Sequence, residues 1–314
     1  MQVIRGLYNL KEEHQRSVTT IGNFDGVHLG HQAILKQVCS KAKDLNVPSM
    51  LICFEPQPRE FFNTYNAPAR LTRFREKVEL LSALGVDLVL CLKFDEKTRS
   101  MSAEQFIDVL VHNLKVSALF VGDDFKFGHD QSGGFDQLLT AGEKNHFDVT
   151  NMYTLSIEDS RVSSTKIREY LAEGFFEHAE HMLGRPYFIS GKVVYGSQIG
   201  RTLDAATANI QLHRYRAPID GVYTVILLIE DSEVRHQGVA NVGVRPTLNE
   251  DTTKPILEVH LFDFSRDIYG KRVEVIFKQK IRNEKKFKNL DELKMAIASD
   301  IVDAKTYFSN ECIT

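Results

Sequence analysis

The chain has 314 residues, 39 Lys and Arg against 42 Asp and Glu, a net charge of -3 and 43% hydrophobic residues. This composition excludes intrinsic disorder and a broadly basic nucleic-acid surface, and at roughly 150 residues per domain the length predicts two domains. Four scattered cysteines, Cys39, Cys53, Cys91 and Cys312, fit neither a zinc ribbon nor a disulfide framework, and with no leader-like start and no apolar run of roughly 20 residues the expectation is a cytoplasmic protein with no membrane partner.

The predicted elements begin with a β-prone run at 18–21, closed by Gly22, and a helix whose apolar face carries Ile34, Leu35, Val38, Ala42 and Leu45. A strand at 50–54 ends against Pro56 and Pro58, which lack the amide hydrogens that sheet pairing requires. A helix over 73–84, a strand over 88–92, a helix over 103–110 opened by a Ser102/Gln105 capping box, and a strand over 118–121 follow. This alternation predicts an α/β domain with a parallel sheet covered on both faces, its ligand lying beyond the carboxyl ends of the strands.

After Gly184, Arg185 and Pro186 the texture turns β-rich, with predicted strands at 188–195, 222–229, 257–264 and 273–277. A long helix over 291–308 follows, capped by Asn289 with Glu292 and buried along Leu293, Ile297, Ile301, Ala304 and Phe308. The expectation is an antiparallel β-barrel with a C-terminal helix, and a division into domains 1–184 and 185–314. Lys278, Lys280, Arg282, Lys285, Lys286 and Lys288 form a basic run, but sparse aromatics and balanced overall charge read it as a solvated face or an aid to anionic ligands, with no nucleic-acid partner.

Chemistry concentrates first between the opening strand and its helix, in Gly22, Asn23, Phe24, Asp25, Gly26, Val27, His28, Leu29, Gly30 and His31. Glycines there admit backbone amides to a bulky ligand, the helix start offers unpaired N–H groups to phosphate, and two histidines three apart can donate hydrogen bonds to phosphoryl oxygens. The stretch matches neither the dinucleotide fingerprint nor Walker A. Taken locally, it also suits a glycine-rich turn with structurally satisfied histidines, or a zinc site of His28, His31 and Asp25.

This string resembles the (H/T)xGH nucleotidyltransferase superfamily in the form found in prokaryotic bifunctional FAD synthetases, the riboflavin kinase/FMN adenylyltransferases. Two later strings strengthen the resemblance: Val121, Gly122, Asp123, Asp124, Phe125, Lys126, Phe127, Gly128; and Val162, Ser163, Ser164, Thr165, Lys166, Ile167, Arg168. The resemblance implies transfer of AMP from ATP to FMN, giving FAD and pyrophosphate, in a nucleotidyltransferase-like domain. It implies that His28 and His31 hold the triphosphate, that Gly22, Asn23, Phe24, Asp25, Gly26 and Gly30 line the same pocket, and that Ser164, Thr165 and Arg168 face the departing pyrophosphate. Asp124 occupies the family's acidic position, or caps its own loop; Phe127 and Phe125 face an isoalloxazine ring, or pack the core. Gln57 stands where the family often has His and cannot become cationic.

The second half contains Gly191, Lys192 and Gly200, followed by Asp204, Ala205, Ala206, Thr207, Ala208 and Asn209, then Asn241 to Thr247 around Arg245, and Glu258 within Leu257 to Leu261. These residues resemble the riboflavin kinase domain, which implies that Thr207 binds Mg²⁺, that Asn209 orders the ATP-side loop, that Gly191, Lys192, Gly200 and Arg245 contact the nucleotide, and that Glu258 takes the proton of the riboflavin 5′-hydroxyl. The family loop reads Gly-x-Pro-Thr-Ala-Asn, so Asp204 and Ala206 are departures from it. The leading expectation is a bifunctional enzyme with ATP as co-substrate and riboflavin, FMN and FAD as substrates or products. The alternatives are an FMN adenylyltransferase with a kinase-inactive flavin-binding domain and, further off, a non-enzymatic flavin or nucleotide sensor.

Overall fold

The structure, a computed structural model, describes residues 1–122, 124–129, 131–152, 155–157, 160–195, 207–246 and 253–311, without the side chains of residues 157, 244–246, 253 and 254. Contacts divide the chain into two units, Met1–Pro68 with Thr72–Ser164 and Ala69–Leu71 with Thr165–Thr314.

The first unit runs β1 (Gln2–Arg5), β2 (Val18–Ile21), α1 (Leu29–Leu45), β3 (Ser49–Glu55), α2 (Pro58–Phe62), α3 (Phe74–Ala83), β4 (Leu88–Lys93), α4 (Glu96–Arg99), α5 (Ala103–Asp108), β5 (Ala118–Gly122), α6 (Phe135–Asn145) and β6 (Asp148–Met152), then a short antiparallel pair, β7 (Ser156–Ile157) and β8 (Ser160–Arg161). Strands β1 to β6 form one parallel sheet in the order β1-β4-β3-β2-β5-β6. The chain steps outward from β2 through β3 to β4 and then returns to place β5 on the other side of β2. Loops leaving the carboxyl ends of β2 and β5 therefore diverge, which opens a crevice at that switch point.

Helices cover both sheet faces, so alternate strand residues feed separate clusters: Ile52 and Leu90 join Phe106 and Leu110, while Leu51 and Val89 join Leu35 and Leu81. The Ser102/Gln105 capping box forms as expected, with bonds of 3.2 and 2.9 Å. Leu45, expected on the buried stripe of α1, is instead 42% exposed. It is the last helical residue before the left-handed Asn46 cap, and Val38 and Ala42 already close the face against Val18, Ala118 and Phe120. The edge strands β1 and β6 lie outside the sequence expectation because each buries a single residue, Ile4 and Met152, too little to set an apolar period.

The second unit continues with α7 (Ser164–Glu173), whose first residue ends unit one, α8 (Phe176–Leu183), β9 (Phe188–Val194), β10 (Thr207–Gln211), β11 (Gly221–Ile229), β12 (Arg235–Pro246), β13 (Thr253–Leu261), β14 (Arg272–Arg282) and α9 (Leu290–Glu311). The six strands close an antiparallel barrel, β10-β13-β12-β11-β14-β9, with β9 pairing back to β10. Cross-strand register stacks Tyr223 on Ala240 and Ala240 on Val259, and Leu227 on Val275 and Val275 on Ile189, all of them buried. The expected barrel and C-terminal helix are present; β10 and β12 complete it.

Half of the basic run is engaged within this unit, while Lys285, Lys286 and Lys288 are exposed, as a solvated face would have them. Arg282 holds Asp300 of α9 through two 2.8 Å bonds, Lys278 Nζ meets Glu311 at 2.9 Å, and Lys280 Nζ donates to Ala172 O at 3.3 Å. Asp300 is 5% exposed, so its removal strands a largely covered guanidinium. Asp300→Ala is expected to lower stability by about 3 kcal/mol, read as a fall in the urea midpoint of the full chain, with Arg282→Lys falling between the variant and the wild type.

Candidate active sites

The β2–α1 turn is built under strain. Phe24 and Val27, both buried, adopt positive φ of 47° and 44°, a region that costs a β-branched residue of order 1–3 kcal/mol. What the strain produces is a stack of rings: His28 and His31 lie with centroids 3.6 Å apart at 16°, and Phe24 covers His31 at 4.5 Å. His28 caps α1, its Nδ1 accepting from the His31 amide at 3.3 Å. Gly30 lets the rings meet, because a Cβ there would stand 3.3 Å from the His28 ring. Gly22 N donates to Ile52 O at 3.0 Å, joining the turn to β3.

Asp25 is a tether. Its Oδ1 accepts from Thr72 N at 3.0 Å and from Thr72 Oγ1 at 3.2 Å, Gly26 N donates to Thr72 Oγ1 at 2.9 Å, and Ser164 Oγ donates to Asp25 O at 2.8 Å. The turn, the segment before α3 and Ser164 thus meet at one residue, Thr72 on its carboxylate and Ser164 on its backbone carbonyl. The zinc alternative is not supported: no group of three or more His, Cys, Asp or Glu side chains among the described residues is placed to hold a metal. Thr72 has no local sequence signature; its part follows only from the tertiary fold.

The remaining residues of this constellation are dispersed. Asp124 pairs with Arg161 at 2.9 Å, both largely exposed. Phe127 is 7% exposed and packs on Phe106 and Phe125 at 5.4 and 5.7 Å, within the core. Within the second unit Thr165 is exposed in the first turn of α7, and Arg168 Nε donates to Ala69 O at 2.6 Å.

Among the described residues of the first unit, five buried polar atoms have no hydrogen-bond partner: Asn23 Oδ1, His31 Nδ1, Gln57 Nε2, Lys77 Nζ and Asn151 Oδ1. Such atoms are rare in folded proteins; Asn23, His31 and Gln57 follow β2 or β3, Asn151 is the penultimate residue of β6, and Lys77 stands in the first turn of α3. Unmet hydrogen-bonding capacity at one end of a sheet is what a polar ligand would fill. Burial, then the charges of His28 and Lys77, hold the His31 pKa well below 6.5, so the ring is neutral at pH 7 and donates from one nitrogen only. A cavity of about 610 Å³ lies at the opposite end of the sheet, lined by Arg16, Lys115, Ser117, His146 and Asp148, away from these groups.

On the barrel, antiparallel register makes the second site. Asn209 of β10 stands directly opposite Glu258 of β13, Glu258 stands opposite Asn241 of β12, and Thr207 stands opposite His260. Val259 between them is fully buried, so Thr207, Asn209, Glu258 and His260, all half-buried, share the other face. A hydroxyl and an amide oxygen without a carboxylate cage suit Mg²⁺, which keeps most of its coordination for phosphate and water. Gly191 permits tight strand contact, since a Cβ would lie 2.5 Å from Ile210 Cγ2. Lys192 is exposed on β9. Gly200, Asp204, Ala205, Ala206 and the side chain of Arg245 lie outside the described residues.

Residues 10–166 match the family model described as FAD synthetase, and residues 183–308 the one described as riboflavin kinase. A Pseudomonas fluorescens protein named bifunctional riboflavin kinase/FMN adenylyltransferase is 49% identical over 306 residues, covering 97% of each chain. One of the same name from Haemophilus influenzae is 47% identical over 311 residues, covering 99% of this chain and all of its own. A crystal structure described as a macrolide-efflux protein from Streptococcus pneumoniae matches with a TM-score of 0.79 at 28% identity, covering 96% of this chain and 97% of that one. Among the described residues here no helix is long and apolar enough to cross a membrane. With both halves matched and the similarity running through nearly its whole length, the chain belongs to the bifunctional riboflavin kinase/FMN adenylyltransferase family.

Proposed function

We propose that this protein makes FAD in two steps, phosphorylating riboflavin with ATP in residues 185–314 and adenylylating the resulting FMN with a second ATP in residues 1–184, in a cytoplasmic setting. The observation that carries the reading is that each half has its own family match and its own grouping of polar side chains, the stacked histidines in one and the Asn209–Glu258 pair in the other. The single-activity alternative rests on residues 204–206, and the riboflavin kinase match over 183–308 favours two activities.

In the first unit the FMN phosphate oxygen attacks the α-phosphorus of ATP, and pyrophosphate leaves. No covalent nucleophile is needed, because a phosphate is already charged; the protein's work is alignment and charge stabilisation. His28 and His31 are proposed to donate to phosphoryl oxygens, with Asn23, the backbone of Gly22, Phe24, Gly26 and Gly30, and the hydroxyls of Ser164 and Thr165 shaping the nucleotide site, Asp25 holding its parts together and Arg168 drawing the leaving pyrophosphate. Asp124 and Phe127 are assigned to support of the neighbouring loop rather than to the flavin.

In the barrel Glu258 takes the proton of the riboflavin 5′-hydroxyl as that oxygen attacks the γ-phosphorus and ADP departs. Thr207 is proposed as the protein oxygen for Mg²⁺, which when bound neutralises charge on the nucleotide phosphates. Asn209 orients the same loop, and Gly191, Lys192, Gly200 and Arg245 are proposed to border the nucleotide.

Incubating the full chain with riboflavin, ATP and Mg²⁺ and resolving flavins over time is expected to show FMN rising first and FAD following; FMN with no FAD would remove the adenylyltransferase half. His28→Ala or His31→Ala is expected to slow FAD formation about a hundredfold while sparing FMN formation. Glu258→Gln is expected to do the reverse, and loss of both reactions from either change in a folded chain would refute separate sites. For His31 the lowered pKa means that the unfolded chain gains a proton below 6.5 while the folded chain does not. Its contribution to stability is therefore present above that pH and lost on acidification towards the lowered value, so the melting temperature from pH 8 to pH 5 should fall less steeply in His31→Gln.

A further inference from the structure

Lys77 is fully buried, with 0% of its surface exposed, and its Nζ has no hydrogen-bond partner among the described residues. An ammonium group without a partner is costly to bury. Its position makes matters worse, since it is the fourth residue of α3, near the positive end of the helix dipole. The adjacent acid, Glu76, turns Oε2 to the Arg73 amide at 2.6 Å. A methionine would fill the same space more favourably, so fold stability does not account for the lysine.

The helix sets this charge beneath the β2–α1 turn. Phe74, Lys77 and Leu81 share one face of α3 by their spacing, and Phe74 and Leu81 pack in the cluster that holds Phe24 and Val27 of the turn, Cys53 of β3 and Cys91 of β4. The charge is felt at His31, Cys53 and Cys91. The unpartnered atoms Asn23 Oδ1 and His31 Nδ1 belong to the same turn.

We propose that Lys77 is a phosphate-binding residue of the adenylyl-transfer site, supplying the fixed positive charge that holds the polyphosphate of ATP against the turn between β2 and α1. The inference rests on the adenylyltransferase reading given above. Lys77 transfers no proton and forms no covalent bond; the nucleotide brings the anionic partner that its surroundings lack. The effect falls on ATP and not on the flavin, and only on the second of the two reactions.

The test uses the full chain carrying Lys77→Met or Lys77→Arg, with both reactions and thermal melting as readouts. Lys77→Met is expected to raise the KM for ATP in FAD formation by about tenfold to a hundredfold. It should leave the KM for FMN and the rate of riboflavin phosphorylation near wild type, and it should melt at or above the wild-type temperature, because a buried unpaired charge has been removed. Lys77→Arg, which keeps the charge, should recover most of the ATP binding. A Lys77→Met chain with an unaltered KM for ATP, or one that melts lower and loses both reactions together, makes Lys77 a structural residue and overturns the proposal. A wild-type chain that forms FMN but no FAD would instead overturn the adenylyltransferase reading itself, and this role with it.

Discussion

A single residue, Asp25, ties the first site together through its carboxylate and its backbone carbonyl. Asp25 takes both polar groups of Thr72 on one oxygen and offers its carbonyl to Ser164, so three segments far apart in sequence meet at one residue. That tether acts together with the bonds from Val27 N to Phe24 O at 3.2 Å and from Gln32 Nε2 to Val27 O at 2.9 Å to hold the turn in which Phe24 and Val27 take positive φ and Phe24, His31 and His28 stack. Placing this assembly where the strand order reverses gives it an open crevice rather than a packed face.

The barrel reaches a comparable end by different means. No strained turn is needed there, because antiparallel pairing alone aligns Asn209, Glu258 and Asn241 across three strands, and alternation along each strand separates that row from the apolar interior. A slip of one residue in β13 would turn Glu258 inward and Val259 out. Gly191 brings β9 close to β10, and Arg282 at the end of β14 clasps Asp300 of α9, so the closed sheet is braced both between strands and from the helix.

Much of this was legible in the sequence, for identifiable reasons. Strands β3 to β5 are buried over most of their length and announce themselves as apolar runs, β2 as a β-branched one, and the histidine pair stands within one short turn. The edge strands β1 and β6 bury one residue each and leave no pattern. Thr72 could not be read locally, since its partner lies 47 residues away. Lys77 could have been: it sits at the spacing of Phe74 and Leu81, and a lysine on the apolar stripe of a helix is an anomaly that the periodicity exposes. The basic run was read only in part: Lys285, Lys286 and Lys288 are exposed as expected, but the partners of Lys278 and Arg282, Glu311 and Asp300, belong to a helix that follows the run and could not be assigned from the run itself.

The five unpartnered polar atoms of the first unit also bear on how long a molecule survives. A nucleotide that filled them would bind the folded chain and not the unfolded one, adding about 2.7 kcal/mol at a hundredfold excess over its Kd. Resistance to heat and to proteolysis would then rise with the concentration of nucleotide.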